Sequence, residues 1–161
     1  MKHVSRNSIE RAIEIVDNLD DSGLETLSEK HALAQPTLLA YVMTAPEEYE
    51  NEPLSGILIY YFCLISEAFA QEGISLNTVT EDQIDAFEEP FFELLDAYFD
   101  KDDQELLDDF VDQPELTQFM AFEISTNDED GSSIDDETAT QLFIVSVAMI
   151  TLMSRSIKQP A

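Results

Sequence analysis

Residues 54–70 read LSGILIYYFCLISEAFA, and this stretch determines the fold more than any other part of the chain. Between positions 57 and 65 there is no charged, amide or small hydroxyl side chain. A helix that is apolar on every side is a buried helix. Because the run is shorter than the roughly 20 apolar residues of a membrane span, it predicts the central helix of a soluble domain.

Residues 142–153 read LFIVSVAMITLM and form a second, nearly apolar run. Acids at positions 135–137 would lie in the first turn of this helix, and Arg155 and Lys158 in its last turn, as the helix dipole favours. We therefore expect two buried apolar helices, at about residues 54–72 and 135–157, that pack on each other. Residues 57–65 are also rich in the residue types of strands, but their length and neighbours favour a helix.

The rest of the chain also shows helical spacing of its apolar residues. Asn7 or Ser8 can cap the first helix, a turn is expected at residues 20–23, and a helix is expected over 36–45. Thr80 and Gln83 form a capping-box pattern that begins a helix toward residue 100. Pro90 lies inside that helix and predicts a kink or a split.

These patterns predict an all-α fold. At 161 residues the chain matches one domain, residues 1–161, and its 4 glycines and 6 prolines are too few for a turn-rich all-β protein. We expect an orthogonal or irregular bundle of about seven or eight helices around the two apolar ones. For residues 114–124 we expect four residues to be buried: Leu116, Phe119, Met120 and Phe122.

The single cysteine, Cys63, lies inside the central apolar run, so no intramolecular disulfide can form. A buried cysteine usually behaves as a small hydrophobic residue. The charged N-terminus is not followed by an apolar run, as a secretory signal would be. These features predict a cytoplasmic protein.

The charge of the chain is unusual, because 7 Lys and Arg residues face 35 Asp and Glu residues, for a net charge of −28. Such a surface repels phosphate backbones and anionic lipids, so we expect no direct binding of nucleic acid or of a membrane. The expected partners are basic proteins or cations. An adaptation to salt, or to the need for solubility, without a specific partner is the alternative.

The negative charge is concentrated between residues 81 and 137, which hold 22 acids and one base, Lys101. Within the first helix of this region, six acids fall within about 80° of one another, opposite the apolar arc. Like charges three or four residues apart destabilise a helix slightly, so the row indicates either a binding face or a solvated outer surface. The six candidate binding residues are Asp82, Asp85, Glu89, Glu93, Asp96 and Asp100.

Residues 126–137 partly match a calcium-binding EF-hand loop. With Gly131 at the sixth position, Asp128, Asp130 and Glu137 fall at ligand positions 3, 5 and 12. The match fails at the first position, where Thr126 stands in place of aspartate. No cofactor is therefore expected, beyond weak binding of calcium or magnesium.

No catalytic motif is present in the sequence. Neither His3 nor His31 has a partner at metal-ligand spacing, and we expect His31 to be a surface residue or one with its hydrogen bonds satisfied. Glu93 and Asp96 could hold a divalent metal on one side of a helix. Phe92 and Phe99 lie at the edge of their helix's apolar arc, where they could contribute to a homodimer interface.

The sequence thus favours a non-enzymatic acidic helical protein that binds or regulates a basic partner, in the manner of nucleic-acid mimics or of immunity and inhibitor proteins. The analogy is one of charge alone. The enzyme alternative is a divalent-metal carboxylate enzyme on a helical bundle, which needs at least three converging acids.

Overall fold

The computed structural model describes residues 3–101, 104–125 and 136–158. These residues form eight helices of seven residues or more and one single-turn helix, α4, and the fold is all-α, as the sequence predicted. Within the described ranges, the only β structure is an isolated antiparallel bridge between Leu76 and Ile157. In chain order the helices are α1 (Arg6–Asp17), α2 (Asp21–Ala34), α3 (Pro36–Val42), α4 (Ala45–Glu48), α5 (Leu54–Gln71), α6 (Glu81–Lys101), α7 (Gln104–Val111), α8 (Pro114–Ser125) and α9 (Asp136–Ser154).

Helices α5 and α9 are the two buried apolar helices. Eleven of the 18 residues of α5 are buried, and α5 packs against α1, α9 and α2. Phe62 and Phe69 of α5 and Met149 of α9 belong to one hydrophobic cluster and are at most 1% exposed. Burial of a side chain of this size stabilises the fold by roughly 1.5–3 kcal/mol, so this pair of helices carries much of the core.

Both central helices also have the length and composition of a membrane span. The segments Leu54–Gln71 and Glu137–Ser154 each cover 18 residues with a mean hydropathy of 1.4. The apolar runs alone are shorter, because each helix continues into less apolar flanks. About 61% and 67% of the two segments are buried inside the protein, and the core helices of soluble proteins share these properties. Length alone therefore does not exclude a membrane span, and a cytoplasmic location stays a prediction.

Two helix starts differ from the sequence prediction. The cap of α1 is Ser5, not Asn7 or Ser8, and its hydroxyl accepts a hydrogen bond from the Ser8 amide. The expected turn at residues 20–23 is instead the start of α2, where the Asp20 carboxylate accepts the Gly23 amide at 2.7 Å. In both cases an oxygen three residues upstream satisfies an amide that the helix leaves open.

The helix expected over residues 36–45 is divided in the structure. Helix α3 ends at Val42, and α4 begins at Ala45. Pro46 takes the second position of α4, where its missing amide costs nothing. After this break, α4 and Tyr49 line one pocket together with residues of α6.

The end of α9 also differs from the prediction, because the helix stops at Ser154, before both basic residues. The guanidinium of Arg155 lies 4.5 Å from the centroid of the Phe110 ring, a cation–π distance. The Lys158 amide donates to the Ser75 carbonyl at 2.9 Å. The chain leaves the helix here because residues 156–158 pair with the linker before α6.

The prediction that Phe122 is buried is wrong, since this side chain is 67% exposed. The buried side of α8 is made by Leu116, Met120 and Ile124. These three residues are spaced four apart and therefore share one side of the helix. Phe122 falls near the opposite side.

Candidate functional site

The six candidate acids all lie on the exposed surface of α6, which we call the acidic face (Asp82, Asp85, Glu89, Glu93, Asp96 and Asp100). No Lys, Arg or His occurs between residues 81 and 100 to compensate them. Asp100 lies 18 residues after Asp82, which is roughly 27 Å at the rise of an α-helix. The acidic face is therefore an extended surface of one sign.

The opposite side of α6 holds the helix on the core. Ile84, Phe87, Phe91 and Leu95 are buried, and the rings of Phe87 and Phe91 stack with their centroids 4.6 Å apart. The start of the helix is fixed by the expected capping box. The Gln83 amide donates to the Thr80 hydroxyl, and the Thr80 amide donates to the Gln83 side-chain carbonyl. Because the apolar side of α6 packs on the core, the carboxylates on its opposite side face the solvent.

Pro90 does not split this helix, because α6 runs without a break from Glu81 to Lys101. The proline side chain is exposed, and proline removes one backbone hydrogen bond from the helix interior. The carboxylates before and after Pro90 thus belong to a single helix, and the acidic face is continuous.

Two phenylalanines flank the acidic face. Phe92 and Phe99 are each 52% exposed and lie one heptad apart on the same side of α6. Phe99 also lines an apolar groove of about 450 Å³ between α6, α8 and α9, together with Tyr98, Ala121 and Phe143. Aromatic residues are enriched at protein–protein interfaces relative to the rest of the surface.

A smaller and more enclosed pocket, of about 100 Å³, lies between α3, α4 and α6. Tyr41, Tyr49 and Phe92 line it together with two acids, Glu48 and Glu88. Burial, with the nearby charges of Glu88 and Glu48, raises the pKa of Tyr41 to about 12. Burial and the charge of Glu48 also raise the pKa of Tyr49. Because the pocket is lined by two carboxylates and by no basic side chain, its potential is negative.

A polar pair that the sequence did not reveal lies beneath α2. His31 and Glu67 are both buried, and their side chains are 2.9 Å apart. Burial raises the pKa of Glu67, but hydrogen bonds from Gln71 and His31, with the charges of His31 and Lys30, outweigh it and lower the pKa overall. His31 and Glu67 are 36 residues apart, so no local sequence pattern reveals the pair. The one signal in the sequence is a glutamate inside an apolar run, because a buried carboxylate needs a partner.

Cys63 is fully buried near this pair. Burial raises the pKa of its thiol, and the charge of Glu67 adds to this rise, while a hydrogen bond with Ser28 opposes it. A thiol with a raised pKa is a poor nucleophile at neutral pH. The His31–Glu67 pair is thus better suited to hold α2 on α5 than to activate Cys63.

The metal-binding predictions receive no support from the geometry. Asp128 and Asp130 lie outside the described residues, and Glu137 is exposed near the start of α9. Glu93 and Asp96 are also exposed. Across the three described ranges, no group of three His, Cys, Asp or Glu side chains is arranged to hold a metal ion.

Comparison with known proteins adds no further constraint, since no family model, no curated protein and no solved structure matches this chain. The function must therefore be inferred from the chemistry of the surface.

Proposed function

We propose that this protein is a non-enzymatic binding module that presents the acidic face of α6 to a basic protein partner. The observation that carries the proposal is the exposure of all six carboxylates on one continuous helix, whose single base, Lys101, is its last residue. Opposite charge on a partner would relieve the repulsion within this row. It would also accelerate association through electrostatic steering.

The spacing of the carboxylates favours one kind of basic partner. Six acids over roughly 27 Å give one charge per roughly 5 Å, close to the 5.4 Å pitch of an α-helix. Measured along the axis of the duplex, one strand of DNA carries one charge per about 3.4 Å, a higher linear charge density. The acidic face therefore suits a helix with Lys or Arg on every turn better than a groove built for nucleic acid. The exposed rings of Phe92 and Phe99 add an apolar edge to the same surface.

Charge reversal tests the proposal. We expect a Lys- and Arg-rich helical peptide to bind the full chain in calorimetry, with an affinity that falls as salt is added. Changing Asp85, Glu89, Asp96 and Asp100 to Lys should abolish this binding. The matched control reverses four exposed acids on α1 and α2 (Glu10, Glu14, Glu25 and Glu29) and changes the net charge equally.

Equal loss of binding in the two reversal variants would show that net charge, and not the acidic face, attracts the peptide. If the peptide does not bind the natural chain, and the melting temperature climbs with any salt, the acidity serves solubility or salt tolerance instead. Light scattering on the same samples reports whether a second copy of the chain covers Phe92 and Phe99.

A further inference from the structure

We infer that the pocket between α3, α4 and α6 binds an organic cation, an alkylammonium or guanidinium head group. We call this depression the cation pocket. The cation lies there between two carboxylates and three aromatic rings, those of Glu48, Glu88, Tyr41, Tyr49 and Phe92. The identification of this cation as a Lys or Arg side chain of the partner rests on the function proposed above. The pocket itself does not depend on that function.

The walls of the cation pocket have the chemistry of a cation site. Glu48 lies at the end of α4 and Glu88 on α6, so the two carboxylates come from different elements and meet at one depression. None of the residues that line it is basic. Aromatic rings attract a cation through their negative faces, and cages of such rings recognise ammonium groups. Guanidinium can also bond a carboxylate with two parallel hydrogen bonds.

The size of the pocket limits the ligand to a head group. Its volume of about 100 Å³ holds a few water molecules, which is too little for a nucleotide or a ring cofactor. Its floor is formed by buried apolar residues of α6 and α9, namely Phe91, Val145 and Ala148. A cation with a short alkyl stem therefore enters from the solvent side and stops at this floor.

The cation pocket is joined to the acidic face by a second depression. This wider groove, of about 490 Å³, shares Tyr41, Thr44 and Glu88 with the pocket and is also lined by Glu81 and Asp85. Asp85 belongs to the acidic face itself. A basic helix bound along α6 thus has a path by which one side chain reaches the cation pocket.

Two small probes, n-butylammonium and n-butylguanidinium, test the cation pocket on the full chain. Amide chemical shifts in two-dimensional NMR should move saturably at Tyr41, Tyr49, Glu88 and Phe92. Neutral n-butanol at the same concentration, and sodium chloride at the same ionic strength, should not reproduce these shifts.

A neighbouring pair of glutamates supplies the matched control. Glu48→Gln should weaken probe binding at least about fivefold, while Glu47→Gln, which removes the same charge one residue away and outside the pocket lining, should change it less than about twofold. Tyr49→Leu should weaken binding about fivefold, the loss expected for one cation–π contact. Melting curves and amide-shift dispersion confirm that each variant is folded.

The basic peptide separates the two sources of the cation. Displacement of n-butylguanidinium by the peptide identifies a partner side chain as the ligand. If the peptide binds and the probe stays in place, the ligand of the pocket is a free small amine. The same conclusion follows if the probe binds and the peptide does not. If neither probe gives saturable shifts at the pocket, or if Glu48→Gln and Glu47→Gln behave alike, the cation pocket is overturned. The proposed function then stands or falls separately, on the charge-reversal variants.

Discussion

The Nε2 atom of His31 on α2 lies 2.9 Å from the Oε2 atom of Glu67 on α5, and both side chains are buried. The other carboxylate oxygen of Glu67 accepts a hydrogen bond from the Gln71 side-chain amide at 2.9 Å. A buried carboxylate is costly unless each oxygen has a donor. The pair therefore fixes how α2 lies on the central helix.

We expect His31→Leu to lower the free energy of unfolding by about 1–3 kcal/mol, because it leaves a buried carboxylate oxygen without its donor. The matched control is His3→Leu, since His3 also pairs with an acid, Asp112 at 3.0 Å, but at the surface. Exposed pairs contribute at most about 1 kcal/mol. Urea unfolding at neutral pH measures both, and equal effects would contradict the structural role of His31.

The pH dependence of stability should reveal the same pair. Because the pKa of Glu67 in the folded chain lies below its ordinary value of 4.5, its stabilising contribution is complete above that pH. The contribution is lost as the pH falls through the lower, folded value. We expect the stability gap between the natural chain and Glu67→Gln to stay the same from neutral pH to about pH 4.5, and to narrow as the pH falls from there toward about 3. A gap that stays constant in urea unfolding across this range would contradict the pairing.

Core packing gives a prediction with an internal control on α5. Phe62 is 1% exposed, whereas Ile59, three residues earlier, is 38% exposed. Phe62→Ala should lower the free energy of unfolding by about 3–5 kcal/mol through lost burial and the cavity it leaves. Ile59→Ala should cost less than about 1 kcal/mol, as partly exposed sites usually do. Similar costs in denaturant unfolding would mean that Phe62 is not in the core.

The sequence predicts the features that depend on local chemistry. The apolar runs of α5 and α9 and the Thr80–Gln83 capping box are confirmed, because periodicity and capping act within a few residues. The exposure of the six acids follows from the same periodicity, although their role in binding stays a prediction.

Contacts distant in sequence could not be predicted. Glu48 and Glu88 are 40 residues apart yet line one pocket, together with Tyr41 and Tyr49, which lie on either side of the break between α3 and α4. His31 and Glu67 are also far apart in sequence, so their contact could not be predicted either. The end of α9 was misplaced because residues 156–158 pair with the linker at 75–77, a long-range contact that overrides helix propensity.

Pro90 provides the last prediction, because it lies in the middle of a helix that remains continuous. Pro90→Ala restores one backbone hydrogen bond and removes the clash of the ring with the preceding turn. We expect the free energy of unfolding to rise by about 1–2 kcal/mol. This gain is smaller than the full cost of proline in a helix interior, because alanine also increases the conformational entropy of the unfolded chain.

Pro114 is the matched control for this substitution. It occupies the first position of α8, where proline fits without losing a hydrogen bond. Pro114→Ala should therefore bring no gain in urea unfolding. The affinity of Pro90→Ala for the basic peptide should stay unchanged, since the acidic face already lies on one unbroken helix. A loss of stability in Pro90→Ala would show that α6 depends on a bend at this residue, and a change in peptide affinity would show that the bend aligns the two halves of the acidic face.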